Sequence, residues 1–353
     1  MTATTQLLYP YLLEPQEKAA IWGGDALVAR YGKHADPQAA IGESWECWDE
    51  NRVENGPFAG RTLGDVRHRL GAELMGPLDG AARFPLLTKI IDAREALSVQ
   101  VHPDDAYAQR VEHQANGKTE CWHILAAQPD AHLVLGWNRD TSRAEYERRV
   151  ADGSLGEILR RVPARAGETY YLPAGTLHAI GAGIQLFEAQ QASDLTYRIF
   201  DWNRVGADGR PRELHVAKAA DVLDFRATTR VAAAPLIFRE PGLERSLLVG
   251  AARFSLERID ADGTAPVRIP THGVPFTLTA LAAPLSVETD GVRAAVAPYA
   301  TIVVPAAAEA LVVSSGGAMF VVRPQPQLEQ VRADARRAGV ADSAVDAFFA
   351  QFV

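Results

Sequence analysis

The last third of the 353-residue chain is a succession of short runs of strand-forming residues. This pattern constrains the fold more than any other feature of the sequence. Turn residues separate the runs at short and fairly regular spacing, which is typical of a β-sandwich or barrel and leaves no room for long helices. The predicted strands are 235–238, 246–256, 275–280, 285–289, 301–304, 310–313 and 319–322. We therefore predict a β domain over residues 231–325.

The first 230 residues mix strand patterns with helical ones, and we predict one β-rich domain with inserted helices there. Strand patterns cover 86–92, 97–102, 120–125, 132–135 and much of 167–198, whereas helical patterns cover 104–114, 141–147, 155–162 and 214–225. Residues 326–353 form a predicted helical tail, with Asp342 as N-cap and Phe348, Phe349 and Phe352 on one apolar face. Packing of this face onto the body is the first interpretation, and a dimer contact is the second.

Charge, cysteine content and hydropathy limit the partners and the cellular compartment that we expect for this chain. The formal net charge is -8, from 36 basic and 44 acidic residues, so the chain has no basic excess to neutralise a nucleic-acid backbone. Cys47 and Cys121 cannot form a disulfide framework, and the N-terminus shows no secretory signal pattern. Pro305 and Glu309 interrupt the most apolar stretch, residues 300–322, and argue against a membrane span. We expect a cytoplasmic protein with neither nucleic acid nor membrane as partner.

Four potential metal ligands occur on predicted strands. Gln100 and His102 are two residues apart on one strand, so their side chains leave the same face. Glu120 opens an apolar strand, where an unpartnered carboxylate would be costly to bury. In Gly-Glu-Thr-Tyr-Tyr-Leu-Pro-Ala-Gly-Thr-Leu-His, residues 167–178, a strand, a tight turn and a second strand bring His178 inward. Nitrogen and oxygen donors without a thiolate suit Zn²⁺, and Mn²⁺, Co²⁺ or Fe²⁺ could occupy the same site.

The spacing within residues 167–178 resembles the second motif of the cupin superfamily, whose members are jelly rolls (double-stranded β-helices). The first cupin motif is altered, because Gln100 stands at its first histidine and residues 103–119 separate His102 from Glu120. That arrangement is similar to type I mannose-6-phosphate isomerase (phosphomannose isomerase). The resemblance covers residues 20–220 and rests on several long motifs in the same order: Ser98–Asp105, Gly117–Trp122, Pro173–Ala179 and Glu188–Arg204, supported by Ile21–Gly24, Gly42–Glu46, Lys89 and Arg212–His215.

The resemblance implies a mainly β fold with two cupin-like jelly-roll domains and inserted and flanking helices, the second domain lacking metal ligands. It also implies one catalytic zinc per chain, held by Gln100, His102, Glu120 and His178. The implied reaction interconverts mannose 6-phosphate and fructose 6-phosphate through a cis-enediolate.

The chemistry of that reaction assigns roles to further residues. Arg198, always protonated, could stabilise the charge that develops on the two enediolate oxygens. Lys118, Glu188 and Asp194 are the candidates for the C1/C2 proton transfer, and we favour Lys118. Ser98, Lys89 and Arg204 are the candidates for substrate binding; if Arg204 continued the strand of Arg198, it would share that residue's face.

Two other functions are compatible with a metal-binding cupin. A cupin oxygenase would have a histidine-rich iron site, which Gln100 disfavours. A non-catalytic sugar-binding cupin would not need Lys118, Glu120 and Arg198 together. The expected partner is a small sugar phosphate, and the expected state of the chain is a monomer or a homodimer.

Overall fold

A computed structural model of the chain describes residues 7–34, 39–205, 209–229, 231–325 and 328–352, and it is mainly β. The strands of the first two thirds are β1 Tyr11–Leu13, β2 Gln16–Gly24, β3 Ile41–Cys47, β4 Leu86–Ala93, β5 Val99–Val101, β6 Glu120–Ala127, β7 His132–Trp137, β8 Leu159–Pro163, β9 Thr169–Leu172, β10 His178–Ile180, β11 Ile184–Gln191 and β12 Tyr197–Phe200. Those of the last third are β13 Leu236–Glu240, β14 Leu243–Gly250, β15 Phe254–Ala261, β16 Val267–Pro270, β17 Phe276–Ala280, β18 Leu285–Thr289, β19 Val292–Val296, β20 Thr301–Val304, β21 Ala310–Val313 and β22 Gly317–Pro324.

The helices are short and lie between or after the strands. They are α1 Ala26–Ala29, α2 Leu63–Leu70, α3 Ala72–Met75, α4 Asp105–Tyr107, α5 Arg143–Asp152, α6 Val216–Val222, α7 Leu328–Arg337 and α8 Asp342–Phe349. None of the helices in the described ranges is long and apolar enough to cross a membrane. The predicted fold class, mainly β with inserted and flanking helices, is confirmed.

Two sheets in the N-terminal part of the chain enclose one apolar core. A six-stranded sheet has the order β2-β3-β4-β11-β6-β9, and a five-stranded sheet has the order β12-β5-β10-β7-β8. Trp122 and Leu186 from the first sheet share a buried cluster with Leu133, Leu135 and Ile180 from the second. The inward faces of the two sheets therefore pack on each other, as expected for a jelly roll.

Helices cover the outer face of the five-stranded sheet. Val101 and Tyr197 on that face share a buried cluster with Tyr146 of α5 and Ala219 of α6. The helix predicted over 155–162 is wrong: a 3-10 turn at Leu155–Glu157 leads into β8, which pairs with β7. The apolar residues of 155–162 recur at helical spacing, but pairing with the edge of β7 decides the structure there.

The last third of the chain forms a second pair of sheets, to which β1 adds an edge strand. A seven-stranded sheet has the order β1-β20-β17-β22-β15-β14-β13, and a four-stranded sheet has the order β16-β21-β18-β19. The run 246–256, predicted as one strand, contains a turn at 251–253 and contributes to both β14 and β15. Phe276 and Ile302 share a buried cluster with Leu285 and Leu311 of the smaller sheet, so these two sheets also pack face to face.

The chain divides into two compact units, one of residues 1–16, 45–88 and 233–353 and one of residues 17–44 and 89–232. The predicted division into 1–230, 231–325 and 326–353 also changes near residue 230, but it does not separate the two early segments that belong to the first unit. Its boundary residues 230 and 326 lie outside the described residues, and that division stays a prediction.

The C-terminal tail packs on the unit to which it belongs. Phe348, Phe349 and Phe352 are buried, and a Cβ atom on Gly250 of β14 would come within 2.6 Å of the Phe349 ring. Ala341 is the N-cap of α8, whereas the predicted cap, Asp342, is the first residue inside the helix.

A matched pair of substitutions tests the core of the second pair of sheets. Ile302 is fully buried in β20, whereas Ile237 of β13 is 48% exposed in the same sheet. We expect Ile302→Ala to reduce the free energy of unfolding by about 2–5 kcal/mol, because it removes buried methyl groups and leaves a cavity. Ile237→Ala should change it by at most ~0.5 kcal/mol. Urea unfolding measures both, and equal effects would contradict this packing.

Candidate functional site

Strand pairing brings the predicted ligands together from distant parts of the chain. Gln100 of β5 lies opposite both His178 of β10 and Arg198 of β12, so the three form a row across the five-stranded sheet. Glu120 comes from β6 of the other sheet. Ligand atoms of His102, Glu120 and His178 lie within 4.8 Å of one another, and all three residues are buried. This cluster could hold a metal ion.

A tight turn brings the two histidine segments together. The N–H of Gly175 donates to the carbonyl oxygen of His102 at 2.9 Å, and Gly175 has a φ of +84°. That conformation is readily available to glycine and strained for other residues. The turn before β10 therefore fixes His178 beside His102, which explains the spacing of Gly175 and His178 in the sequence.

The two imidazole rings direct unprotonated nitrogens at each other. His102 Nδ1 lies 2.8 Å from the carbonyl oxygen of Leu195, and His178 Nδ1 lies 2.8 Å from that of Thr176. A carbonyl accepts, so each Nδ1 must carry the proton and each neutral ring must have its lone pair on Nε2. The two Nε2 atoms are only 3.1 Å apart. Two acceptors at that distance repel unless a cation lies between them.

Glu120 adds two more acceptors to the same space. Its side chain is fully buried, with Oε2 at 3.4 Å from His102 Nε2 and Oε1 at 3.3 Å from His178 Nε2. Neither oxygen has a partner in hydrogen-bond geometry, although Lys118 Nζ lies 2.8 Å from Oε2. Buried carboxylate oxygens are normally hydrogen-bonded or bound to a metal. The donor set therefore fits a divalent cation.

Electrostatics keep these groups in the protonation states that a metal requires. Burial lowers the pKa of His102 to about 3, helped by the Lys118 ammonium, and burial also lowers the pKa of His178. Burial alone would raise the pKa of Glu120, but Lys118, His102 and His178 together outweigh it and the pKa lies well below its usual range. Neutral imidazoles and an ionised carboxylate are the forms that bind metal.

A row of buried or half-buried charges of alternating sign adjoins the candidate metal cluster. Lys89 Nζ lies 3.2 Å from Glu43 Oε2 and 3.3 Å from Glu188 Oε1, and Lys118 Nζ lies 4.0 Å from Glu188 Oε1. Trp122 Nε1 donates to Glu188 Oε2 at 2.8 Å. Burial and the nearby Glu120 raise the pKa of Glu188, whereas Glu43 and Glu188 outweigh burial and raise the pKa of Lys89.

These residues line a cavity of about 300 Å³. Its walls include most of the residues predicted for catalysis or substrate binding: Lys89, Ser98, Gln100, Lys118, Glu188, Asp194 and Arg198. Four polar or aromatic wall residues were not predicted as site residues: Trp22, Glu43, Thr196 and Arg212. All four belong to motifs of the family resemblance, but nothing in the sequence indicates that their side chains meet.

Arg198 and Arg204 have different surroundings. Arg198 lines the cavity, with Nη1 donating to the Glu213 carbonyl at 3.0 Å and a buried Nε that has no hydrogen-bond partner. β12 ends at Phe200, so strand alternation does not extend to Arg204. Arg204 instead donates to Asp201 and to the carbonyl of Ala96, and it is not among the described residues that line the cavity. A substrate-binding role for Arg204 stays a prediction.

Taken together, paired jelly-roll sheets and a buried cluster of two histidines and one carboxylate beside a polar cavity define a cupin with a candidate metal site. The family model described as "Phosphomannose isomerase type I, catalytic domain" matches residues 11–123. The chain is 44% identical over 221 residues to the mannose-6-phosphate isomerase ManA of Bacillus subtilis, covering 61% of this chain and 68% of the relative. It is 37% identical over 266 residues to mannose-6-phosphate isomerase of Streptococcus mutans, covering 73% and 81% respectively.

A solved structure of a mannose-6-phosphate isomerase is also similar to this chain over most of its length. The crystal structure of mannose 6-phosphate isomerase from Bacillus subtilis aligns with a TM-score of 0.80 at 30% identity, covering 89% of this chain and 99% of that one. The chain belongs to the type I mannose-6-phosphate isomerase family. The resemblance inferred from the sequence motifs is thereby confirmed.

The charge row beside the cluster predicts a stability effect. Lys89→Met would leave the buried Glu188 and the half-buried Glu43 without the ammonium that they share, and we expect it to lower the free energy of unfolding by about 3–5 kcal/mol. The double variant Lys89→Met/Glu43→Gln removes one of the two carboxylates that lost their partner, and it should regain part of the lost stability. Urea unfolding with a chelator present measures both. If Lys89→Met is as stable as the parent chain, the row of charges does not contribute to the stability of the fold.

Proposed function

We propose that this chain interconverts mannose 6-phosphate and fructose 6-phosphate with the help of one divalent metal ion, zinc in the first instance. The observation that carries the proposal is the convergence of His102 Nε2, His178 Nε2 and the Glu120 carboxylate beside a cavity that also contains Lys118 and Arg198. Family membership supports the same activity.

His102, Glu120, His178 and Gln100 are the residues that would hold the ion. The Gln100 amide lies 3.2 Å from His178 Nε2, and a 180° flip exchanges its nitrogen and oxygen. Nitrogen and oxygen donors without a thiolate suit zinc, and Mn²⁺, Co²⁺ or Fe²⁺ would accept the same donors. When bound, the ion supplies positive charge that polarises the substrate carbonyl and stabilises an enediolate.

Arg198 is the proposed electrostatic stabiliser of the enediolate. It pairs with Gln100 across β12 and β5 and lines the cavity beside that ligand. A guanidinium is always protonated and offers several donors in one plane, so it can bridge two neighbouring oxygens. The buried Nε of Arg198 has no hydrogen-bond partner, and this supports a role toward a bound molecule.

Lys118 is the proposed group for proton transfer between C1 and C2. Its Nζ lies 2.8 Å from Glu120 Oε2 and also lines the cavity. Glu188 and Asp194 remain candidates for the same role, since both line the cavity. Ser98 and Lys89 are proposed to bind substrate from the same wall. A cytoplasmic location and a monomeric or homodimeric state stay predictions.

A coupled assay tests the proposed reaction. Purified protein should convert mannose 6-phosphate to fructose 6-phosphate, lose that activity after dialysis against a chelator and regain it when Zn²⁺ is added. Reconstitution with Mn²⁺, Co²⁺ and Fe²⁺ in parallel identifies the ions that support turnover. Absence of turnover in metal-loaded protein would reject the isomerase proposal in favour of a binding protein or another cupin enzyme.

Two substitutions separate metal binding from catalysis. His178→Ala should reduce bound metal to less than ~10% of the parent value and remove activity with it, because a coordinating nitrogen is lost. Arg198→Ala should keep its metal and lower kcat by ~10²–10³-fold, as for the loss of an oxyanion-stabilising donor. The metal content of both purified proteins is measured together with kcat. Metal loss in Arg198→Ala would show that the role of Arg198 as electrostatic stabiliser is wrong.

A further inference from the structure

A second guanidinium, that of Arg212, lines the cavity together with Arg198. We infer that Arg212 binds the phosphate group of the sugar phosphate and that Asp201 positions it for this role. The inference rests on the proposed function, and it adds a substrate-binding residue that the sequence analysis did not name as one.

Asp201 orients Arg212 through a two-pronged ion pair. Arg212 Nε donates to Asp201 Oδ2 at 2.7 Å, and Arg212 Nη2 donates to Asp201 Oδ1 at 2.5 Å. The Asp201 side chain is only 5% exposed, whereas that of Arg212 is 27% exposed. This pairing occupies one edge of the guanidinium plane and leaves Nη1 for a ligand. A guanidinium fixed in this way is well suited to planar recognition of a phosphate.

The position of the Asp201–Arg212 ion pair beside β5 suggests which end of the substrate it contacts. Arg204, which shares Asp201, donates to the carbonyl of Ala96, and Trp202 Nε1 donates to that of Leu97. The Asp201 cluster therefore lies beside residues 96–98, which lead through Ser98 into β5 and Gln100. A strand rises about 3.3 Å per residue, so Ser98 is roughly 7 Å from Gln100 along it. The Asp201 carboxylate that holds Arg212 consequently belongs to the Ser98 end of this segment, away from His102.

The neighbouring charges also favour an anion there. Burial and, after it, the positive charge of Arg212 lower the pKa of Arg198, so the two guanidinium groups are close enough to repel each other. An anion bound between them would relieve that repulsion. Arg204 is less well placed for this role, because its Nε, Nη1 and Nη2 already donate to Asp201 and Ala96.

Kinetics on Arg212→Gln and Arg212→Lys test the inference. We expect Arg212→Gln to raise KM for mannose 6-phosphate by ~10–100-fold, as for loss of a charge-assisted hydrogen bond, and to leave kcat within about threefold. Arg212→Lys keeps the charge but loses the planar set of guanidinium donors, and its KM should lie between those of the parent chain and Arg212→Gln. Arg239→Gln, at a side chain that is 78% exposed in β13, is the matched control and should change neither constant.

Calorimetric titration with inorganic phosphate provides a readout that does not depend on turnover. The parent chain should bind phosphate at least ~10-fold more tightly than Arg212→Gln, with circular dichroism confirming that both are folded. Equal phosphate affinity, or a loss confined to kcat, would overturn the inference. If the parent chain does not isomerise mannose 6-phosphate, the proposed function fails on its own, and the phosphate titration still decides whether Arg212 belongs to an anion site.

Discussion

Three buried acceptors meet in this protein with no proton to share between them, and the arrangement of the site depends on how that conflict is resolved. The two Nε2 lone pairs and the Glu120 carboxylate lie within hydrogen-bonding distance of one another, yet backbone carbonyls hold both imidazole protons on Nδ1. Lys118 offsets part of the charge from one side. A divalent cation would satisfy all three groups at once, and this is why we regard the cluster as a metal centre.

The fold supplies the rigidity that such a cluster needs. Gln100 and His178 come from adjacent strands of one sheet, His102 directly follows the end of β5, and Glu120 comes from the facing sheet. The insertion between His102 and Glu120 returns to its starting point, because Lys118 N donates to the carbonyl of Pro103 at 3.0 Å. A Cβ on Gly117 would come within 2.3 Å of that same carbonyl oxygen, so glycine permits the close return. The return places Lys118 beside Glu120.

Much of the site could be predicted from the sequence because its ligands occur in local patterns. Alternation along one strand predicted a common face for Gln100 and His102, and the spacing from Pro173 to His178 predicted the turn that directs His178 inward. By the same alternation, Cys121 and His123 leave the face of β6 opposite to Glu120; both are buried, and His123 Nδ1 lies 2.9 Å from Thr169 Oγ1. These predictions needed only the geometry of one strand or one turn.

What the sequence could not provide were contacts between distant segments. Glu43 and Arg212 reach the cavity through sheet order and through an ion pair with Asp201, and neither has a local signature. Arg204 was assigned a face by extending a strand that ends at Phe200; Trp202 and Asn203, both with φ near +55°, turn the chain there. The helix predicted over 155–162 failed for a related reason, since apolar spacing does not reveal that a neighbouring strand edge is unpaired.

The most direct test of a metal at this centre is a crystal structure of the zinc-loaded protein, with diffraction data collected on both sides of the zinc absorption edge. The account predicts an anomalous difference peak about 2.0–2.2 Å from His102 Nε2, His178 Nε2 and a Glu120 oxygen, with the Gln100 side-chain oxygen directed at it. A structure without that peak, in which a protonated imidazole or a water molecule satisfies Glu120, would contradict it.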